Sequence, residues 1–234
     1  MCRKYGLAYE LDLVNRRFGT RAVFNLEPRW NIATLQSAPV VKLGADGSRE
    51  LVMMTWGLIA PWAKERREGA KCVNARSETI AELTTYKQPF RERRCLVPAD
   101  GWYENTGPDG AKQPWRIEMA DSGLFAFAGI WQEWKGAGEA GPVESFAIVT
   151  SDPGPDIVHI HDRQPVPLPE ASWDLWLDHG AQVDDARKKE LLDLLRPTPA
   201  GELRFFPVDK RLNKPKQEGP NLARPIALGQ ETLL

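Results

Sequence analysis

Strand-length runs broken by turn residues constrain this chain more than any other feature. Segments at 50–56, 94–98, 114–119, 124–131, 145–150 and 204–208 concentrate apolar, β-branched and aromatic residues over the length of a short strand. Turn-rich pieces such as Thr106-Gly-Pro-Asp-Gly110 stand between them, with Gly and Pro setting the reversal. Helical spacing is confined to roughly 9–17, 85–93, 169–177 and 184–195; the third opens with Pro169 and Glu170, and the last carries Lys and Leu at helical intervals. The long βαβ crossovers of a doubly wound fold are missing. The pattern therefore predicts a single α+β domain with a mostly antiparallel, barrel-like β-sheet flanked by helices.

One domain over residues 1–234 is enough, because 42% hydrophobic content builds a core of the required size. Gly and Pro are spread along the chain rather than gathered in a linker, and no internal repeat is visible. From about 210 to 234 apolar periodicity fades, and the stretch reads as loop-rich, either a solvated surface segment or the wall of a groove. No run of about 18 apolar residues offers a membrane span, and the N-terminus lacks the layout of a secretory signal. A cytoplasmic protein is expected, nucleoid-associated if bacterial, and monomeric, since no long apolar helical stripe is left over.

Three cysteines, Cys2, Cys72 and Cys95, form no CxxC pair, which argues against a disulfide framework and against a cysteine zinc site. Lys and Arg total 31 against 32 Asp and Glu, so any contact with nucleic acid must use a local patch. The nine tryptophans are expected mainly in the core or half-buried on sheets.

Position 2 carries the most chemistry. An initiator Met is normally trimmed when a small residue follows, which leaves Cys2 with an α-amine and a thiol on one residue. Their ordinary pKa values lie near 8 and 8.5, so roughly a tenth of each is reactive at neutral pH. An aldehyde condenses with the amine to an imine, and the adjacent thiol closes a five-membered thiazolidine with the advantage of an intramolecular reaction. Taken alone, a cysteine here is usually incidental.

Three clusters add to it. In Cys72-Val-Asn-Ala-Arg-Ser-Glu78 an extended backbone would put Cys72, Asn74 and Arg76 on one face, offering an amide and a phosphate-binding guanidinium; an ordinary strand edge is the alternative. In Asp100-Gly-Trp-Tyr-Glu-Asn105, Glu104 follows two aromatics that would bury it and raise its pKa, unless it is a plain surface carboxylate. In His159-Ile-His161-Asp-Arg163-Gln-Pro165 the HxH step invites a metal reading, but no second His or Cys cluster completes a site, so no metal is assigned. His161 remains as a proton-transfer candidate near neutral pH, and the segment leads into a strand at Pro165-Val-Pro-Leu168.

Together, Cys2, Asn74-Ala-Arg-Ser-Glu-Thr79, Gly101-Trp-Tyr-Glu104 and Ile160-His-Asp-Arg163-Gln-Pro165 resemble the SRAP (SOS response-associated peptidase) family. Trp30-Asn-Ile-Ala33, Trp56-Gly57, Pro61-Trp62, Lys112-Gln-Pro-Trp115 and Asn213-Lys-Pro-Lys216 follow in the family's order, so the similarity runs along nearly the whole chain. The resemblance implies an α+β barrel-like fold. It also implies a protein that binds abasic sites in single-stranded DNA, or at junctions of single and double strands, and shields them as a thiazolidine cross-link. Cys2 matches the cross-linking residue, Asn74, Glu104 and His161 the active-site polar residues, and Arg76 a phosphate-contacting arginine. Two departures stand at the start: the family usually has Met-Cys-Gly-Arg, and this chain has Arg3 and Lys4, the latter a charge without the bidentate fork. Thr34 replaces a common Pro.

On this reading the DNA contacts are Lys4, Arg76 and Arg163, with Arg211 or Lys214, and with Trp62 or Trp102 stacking on bases. No cofactor is expected. The cross-linked product makes turnover slow, with possible lyase activity by β-elimination and peptidase-type N-terminal processing. Two alternatives stay open: a cysteine peptidase or autoprotease acting at the N-terminus with the same residues, and a non-covalent single-stranded DNA-binding module in which Cys2 is incidental.

Overall fold

The computed structural model describes residues 2–136, 139–179 and 183–228. The chain opens with β1 (Lys4–Leu7) and α1 (Leu11–Phe18). It continues through β2 (Arg29–Ala33), β3 (Ser37–Leu43), β4 (Arg49–Trp56), β5 (Asn74–Arg76), α2 (Thr84–Glu92) and β6 (Arg94–Ala99). Next come β7 (Gly101–Thr106), β8 (Gln113–Met119), β9 (Phe125–Trp134), β10 (Val143–Ser151), β11 (Gln164–Pro165) and β12 (Pro167–Leu168). It closes with α3 (Trp173–Leu177), α4 (Asp185–Asp193) and β13 (Leu203–Pro207).

The predicted α+β architecture is the one formed. Strands β10, β4, β3, β6 and β9 are hydrogen-bonded in that order, and β9 returns to β10, so the sheet closes into a small barrel without free edges at the closure. Its pairings are antiparallel except β4 with β10, and β5 adds to β10 in parallel as well. A second sheet is open, ordered β13-β8-β7-β1-β2, and antiparallel throughout. The chain crosses from barrel to open sheet at Asp100, between β6 and β7.

The core lies where the open sheet packs on the barrel. Tyr5 and Trp102 from the sheet meet Trp56 and Phe127 from the barrel edge-on, with ring centroids 5.2 Å apart for Tyr5 and Trp56 and 5.7 Å for Trp102 and Phe127. All four are fully buried, and side chains of this size contribute about 1.5–3 kcal/mol each on leaving water. Trp56, Trp102, Trp134, Trp173 and Trp176 are core residues, as their number led one to expect. The burial of Trp102 removes it as a platform for bases; Trp62, 59% exposed, keeps that possibility.

On the face of the open sheet that carries Tyr103 runs a buried charge network. Arg116 donates to Asp100 Oδ1 at 2.9 Å, to Glu118 at 2.8 Å and to the Tyr103 hydroxyl at 3.0 Å, while Asp100 Oδ2 accepts from the backbone N–H of Ala8 at 2.7 Å. Asp100 therefore ties the end of β1 to β7 and β8. Removing one partner of such a buried set strands a charge, at about 3–5 kcal/mol. Gly6 is dictated by the same network, since a Cβ there would lie 2.5 Å from Asp100 Oδ1.

The segment beyond 210 holds two 3₁₀ turns, Lys210–Asn213 and Pro220–Ala223, whose Leu212 and Leu222 pack with Tyr103 and Val208. Residues 210–228 are pinned in this way to the outer face of the open sheet, and 229–234, the end of the stretch expected to be loop-rich, lie outside the described residues. Among the described residues no helix is long and apolar enough to cross a membrane.

Candidate active site

The open sheet carries β1 between β7 and β2. Tyr5 pairs with Trp102 in antiparallel register, so the chain read backwards from Tyr5 runs past Tyr103 and Glu104. Side chains alternate along β7. Tyr103 belongs to the outer cluster with Val208, whereas Trp102 points into the main core. Glu104 shares the face of Trp102 and is 4% exposed, a carboxylate on the core side of its strand. Burial lifts its pKa to about 7, and the charge of Asp162 adds to the rise.

Cys2 sits in the main core and is fully buried, its thiol donating to the Lys4 carbonyl at 3.5 Å. Burial pushes the thiol pKa well up, and the neighbouring Glu104 pushes the same way. The thiol is therefore neutral at pH 7.

Asn74 reaches Cys2 from the barrel. β5 is held in parallel on β10 through Asn74 opposite Ile148, and the Asn74 amide nitrogen donates to the Cys2 carbonyl at 2.8 Å. The Tyr86 hydroxyl, from α2, donates to the Asn74 carbonyl at 3.2 Å and fixes that backbone. Among the described residues the Asn74 side-chain oxygen, also buried, has no hydrogen-bond donor.

His161 follows β10 on a turn, its N–H bonded to the Ile157 carbonyl at 3.1 Å. The turn sends the two histidines apart: His159 is exposed against Phe205, Ile160 is buried, and His161 faces Glu104. The His161 Nε2 lies 3.6 Å from Glu104 Oε2. On the other side of the ring Nδ1 accepts the backbone N–H of Arg163 at 3.0 Å and lies 2.8 Å from Asp162 Oδ1. The Arg163 N–H can only donate to Nδ1 and the Asp162 carboxylate can only accept from it, so these two neighbours favour opposite tautomers of the neutral ring, while a charged ring would place a proton toward both Asp162 and Glu104. Burial lowers the His161 pKa, which favours the neutral ring.

A cleft of about 560 Å³ opens over this group, lined by Arg3, Lys4, Glu104, Asn105, Lys112 and His161 among others. Arg3 is exposed at its rim and is not among the residues with positive φ, so the replacement of the family glycine introduces no left-handed strain. Lys4 is half-buried, with its ammonium donating to the Leu212 carbonyl.

The outer basic residues differ from one another. Arg76 is exposed at the end of β5. Arg163 is committed within the protein, bidentate to Glu78 at 2.8 and 2.9 Å and bonded to Asp152 and the Thr150 carbonyl. Arg211 pairs with its neighbour Asp209 at 2.8 Å. Cys72 ends a 3₁₀ turn with φ −124° and ψ 41°, so Cys72, Asn74 and Arg76 do not form one extended face.

Four of the expected residues, Cys2, Asn74, Glu104 and His161, thus converge. The group combines a poised acid/base, a neutral imidazole and an amide around the start of the chain, which suits proton transfer to and from a carbonyl adduct. Sequence reading missed Tyr86 and the Asp100–Arg116–Glu118 network; the charged pair Arg116 and Glu118 at alternate positions of a strand was the available signal for the latter. Among the described residues no group of three or more His, Cys, Asp or Glu is placed to hold a metal ion.

A family model described as SOS response associated peptidase (SRAP) matches residues 1–215. The abasic site processing protein YoqW of Bacillus subtilis (strain 168) is 34% identical over 227 residues, covering 95% of this chain and 98% of that one. The abasic site processing protein HMCES of Gallus gallus is 31% identical over 233 residues, covering 89% of this chain and 68% of that one. A crystal structure of a Bacteroides thetaiotaomicron protein superposes with a TM-score of 0.83 at 21% identity, over 97% of this chain and 100% of that one. A phage-related protein from Bordetella bronchiseptica gives 0.70 at 30% identity, over 89% of this chain and 95% of that one.

Proposed function

This chain belongs to the SOS response associated peptidase (SRAP) family, and from that premise we propose that it captures abasic sites in single-stranded DNA as a covalent thiazolidine on Cys2, after removal of Met1. The observation that carries the reading is the convergence of Asn74 and Glu104 on Cys2, with His161 against Glu104. Its relatives named abasic site processing proteins support the substrate class.

The buried thiol sets the order of events. Because the thiolate is suppressed, the freed α-amine of Cys2 attacks first, adding to C1′ of the ring-opened sugar. The ammonium proton passes to Glu104, whose pKa of about 7 lets it accept and return a proton at neutral pH. Loss of water from the carbinolamine gives the imine. The thiol then adds across the C=N bond: sulfur bonds to C1′, its proton ends on nitrogen, and no external oxidant or reductant is consumed. The imidazole of His161, with Nε2 toward Glu104, holds the sugar hydroxyl released on ring opening. The side-chain oxygen of Asn74 accepts from the freed amine and keeps its lone pair directed at the sugar.

The cysteine peptidase alternative would use the same residues, and burial holds the thiol neutral for its first step as it does for ring closure. Denaturing gel electrophoresis with a single-stranded oligonucleotide bearing one abasic site tests the proposal. A band that survives boiling and requires both Cys2 and the lesion is expected. An equal band from Cys2→Ala, or none from protein shown by mass spectrometry to lack Met1, would overturn it.

A further inference from the structure

Among the described residues β5, Asn74–Arg76, is paired on one side only, with β10. The Val73 carbonyl, just before it, accepts the Ile148 N–H of β10 at 3.2 Å. Successive carbonyls of an extended strand point to opposite sides, so that of Asn74 points away from β10. A carbonyl turned from its sheet and kept from water needs a donor elsewhere. Here the donor is the Tyr86 hydroxyl at 3.2 Å, with Asn74 9% and Tyr86 8% exposed.

Tyr86 is itself held in place. It lies on the buried face of α2 with Pro89 and Phe90, and the Phe90 ring packs 6.2 Å from that of Trp176 on α3. The i, i+4 spacing of Tyr86 and Phe90 puts both on one side of the helix. Burial raises the Tyr86 pKa, and the Cys72 thiol beside the hydroxyl raises it further, so at neutral pH the hydroxyl keeps the proton that it donates.

Asn74 carries this constraint to the site. Its main-chain carbonyl is held from α2, while its side-chain amide donates to the Cys2 carbonyl at 2.8 Å. A rotation of the β5 backbone about its own axis would swing that amide off Cys2. Misplacement by about 1 Å can cost about 100-fold in a reaction that depends on orientation, and reacting groups are kept in register by neighbours that touch no substrate.

We propose that Tyr86 is a positioning residue for capture: its hydroxyl holds the Asn74 main chain, which aims the Asn74 amide at Cys2 and so sets the rate at which the freed terminus reacts. The inference rests on the abasic-site reading and extends the machinery to a helix outside the cleft.

Single-turnover cross-linking compares the parent, Tyr86→Phe, Asn74→Ala and the double variant, each shown by mass spectrometry to lack Met1, over a range of concentrations of the abasic single-stranded oligonucleotide. Tyr86→Phe is expected to lower the limiting rate about 3- to 10-fold, the worth of an ordinary hydrogen bond, with the half-saturating DNA concentration unchanged. In the Asn74→Ala background the same change is expected to lower it no further, since the group through which Tyr86 acts is gone. An equal fall in both backgrounds, or a Tyr86→Phe rate equal to the parent's, would sink the assignment. Hydrogen exchange of the Asn74 side-chain amide, followed by NMR on DNA-free protein, reads the same contact without the chemistry. Faster exchange in Tyr86→Phe is expected, and an unchanged rate refutes the positioning even where cross-linking has slowed. A parent that forms no cross-link refutes the capture reading instead, and the amide exchange then still decides whether Tyr86 holds Asn74.

Discussion

The side-chain amide of Asn74 donates to the main-chain carbonyl of Cys2 at 2.8 Å, so a residue on the barrel fixes the start of a strand in the other sheet. Both ends of the bond are buried. Asn74→Ala leaves that carbonyl without its partner, at about 1–3 kcal/mol. Urea unfolding should show a loss of that size, and the rate of cross-link formation should fall by one to two orders of magnitude, on the order of 1.4 kcal/mol for each tenfold. Asn74→Asp, which keeps shape but not the donor, should not restore the rate; full activity in either variant would separate Asn74 from the chemistry.

Glu104 makes stability and capture depend on pH in opposite directions. Its folded pKa of about 7 lies above its ordinary 4.5. Between those values the folded state holds the extra proton, so this group's contribution to stability is fully present below 4.5 and is lost as pH rises through about 7. The full difference is on the order of 3 kcal/mol. Glu104→Gln should therefore raise the thermal midpoint at pH 8, by about 2–4 °C for each kcal/mol relieved in a chain of this size, with the gain shrinking toward pH 5. Capture by the parent protein should rise with pH through about 7 as the carboxylate becomes a base, and the variant should lose that limb. A parent whose rate is flat from pH 5.5 to 8 would remove Glu104 as the shuttle.

Arg76 and Arg163 should behave differently despite their similar expected roles. Arg76 is exposed, and Arg76→Ala should lower the salt slope of single-stranded DNA binding by about 0.7 with little change in stability. Arg163 holds Glu78, Asp152 and the Thr150 carbonyl together, and Arg163→Ala should cost about 1–2 kcal/mol of stability. Chemical denaturation and anisotropy on the same pair of variants distinguish them. A slope change at Arg163 equal to that at Arg76 would mean that DNA displaces the Glu78 contact.

Arg3 is exposed and unstrained at the cleft rim. Arg3→Gly should shift the thermal midpoint by no more than an ordinary surface substitution, about 0.5 kcal/mol either way, while weakening binding in a salt-dependent manner. Stabilisation well beyond that would reveal backbone strain at this position.

The barrel was legible in the sequence because its strands are buried on the inside and read as plain apolar runs, as in Phe125–Trp134 and Val143–Ser151. The strands that carry the site were not. β1 is only Lys4–Leu7, with a charge at one end and Gly6 placed for Asp100 rather than for β-propensity. β7 hides behind Glu104 and Asn105, polar residues where alternation calls for others, and among the barrel strands β3 is hidden as well, behind Pro39. Local rules fail at β7 because that strand buries a carboxylate on its core side. Cys2, Asn74, Glu104 and His161 are too far apart in sequence for spacing to join them. Only the ordered family motifs did so, and the sheet order supplies the physical reason.

That sheet order has a consequence for selectivity. An amine and a thiol on a loose terminus would be consumed by whatever small aldehyde diffused past. Here the strand that follows Cys2 lies between two others, with its far end clamped by Asp100, so the reactive pair is recessed rather than trailing. On the capture reading proposed above, a small carbonyl must reach a buried terminus beside a cleft lined by Arg3, Lys4 and Lys112, whereas a lesion still attached to its strand brings its own phosphates to those cations.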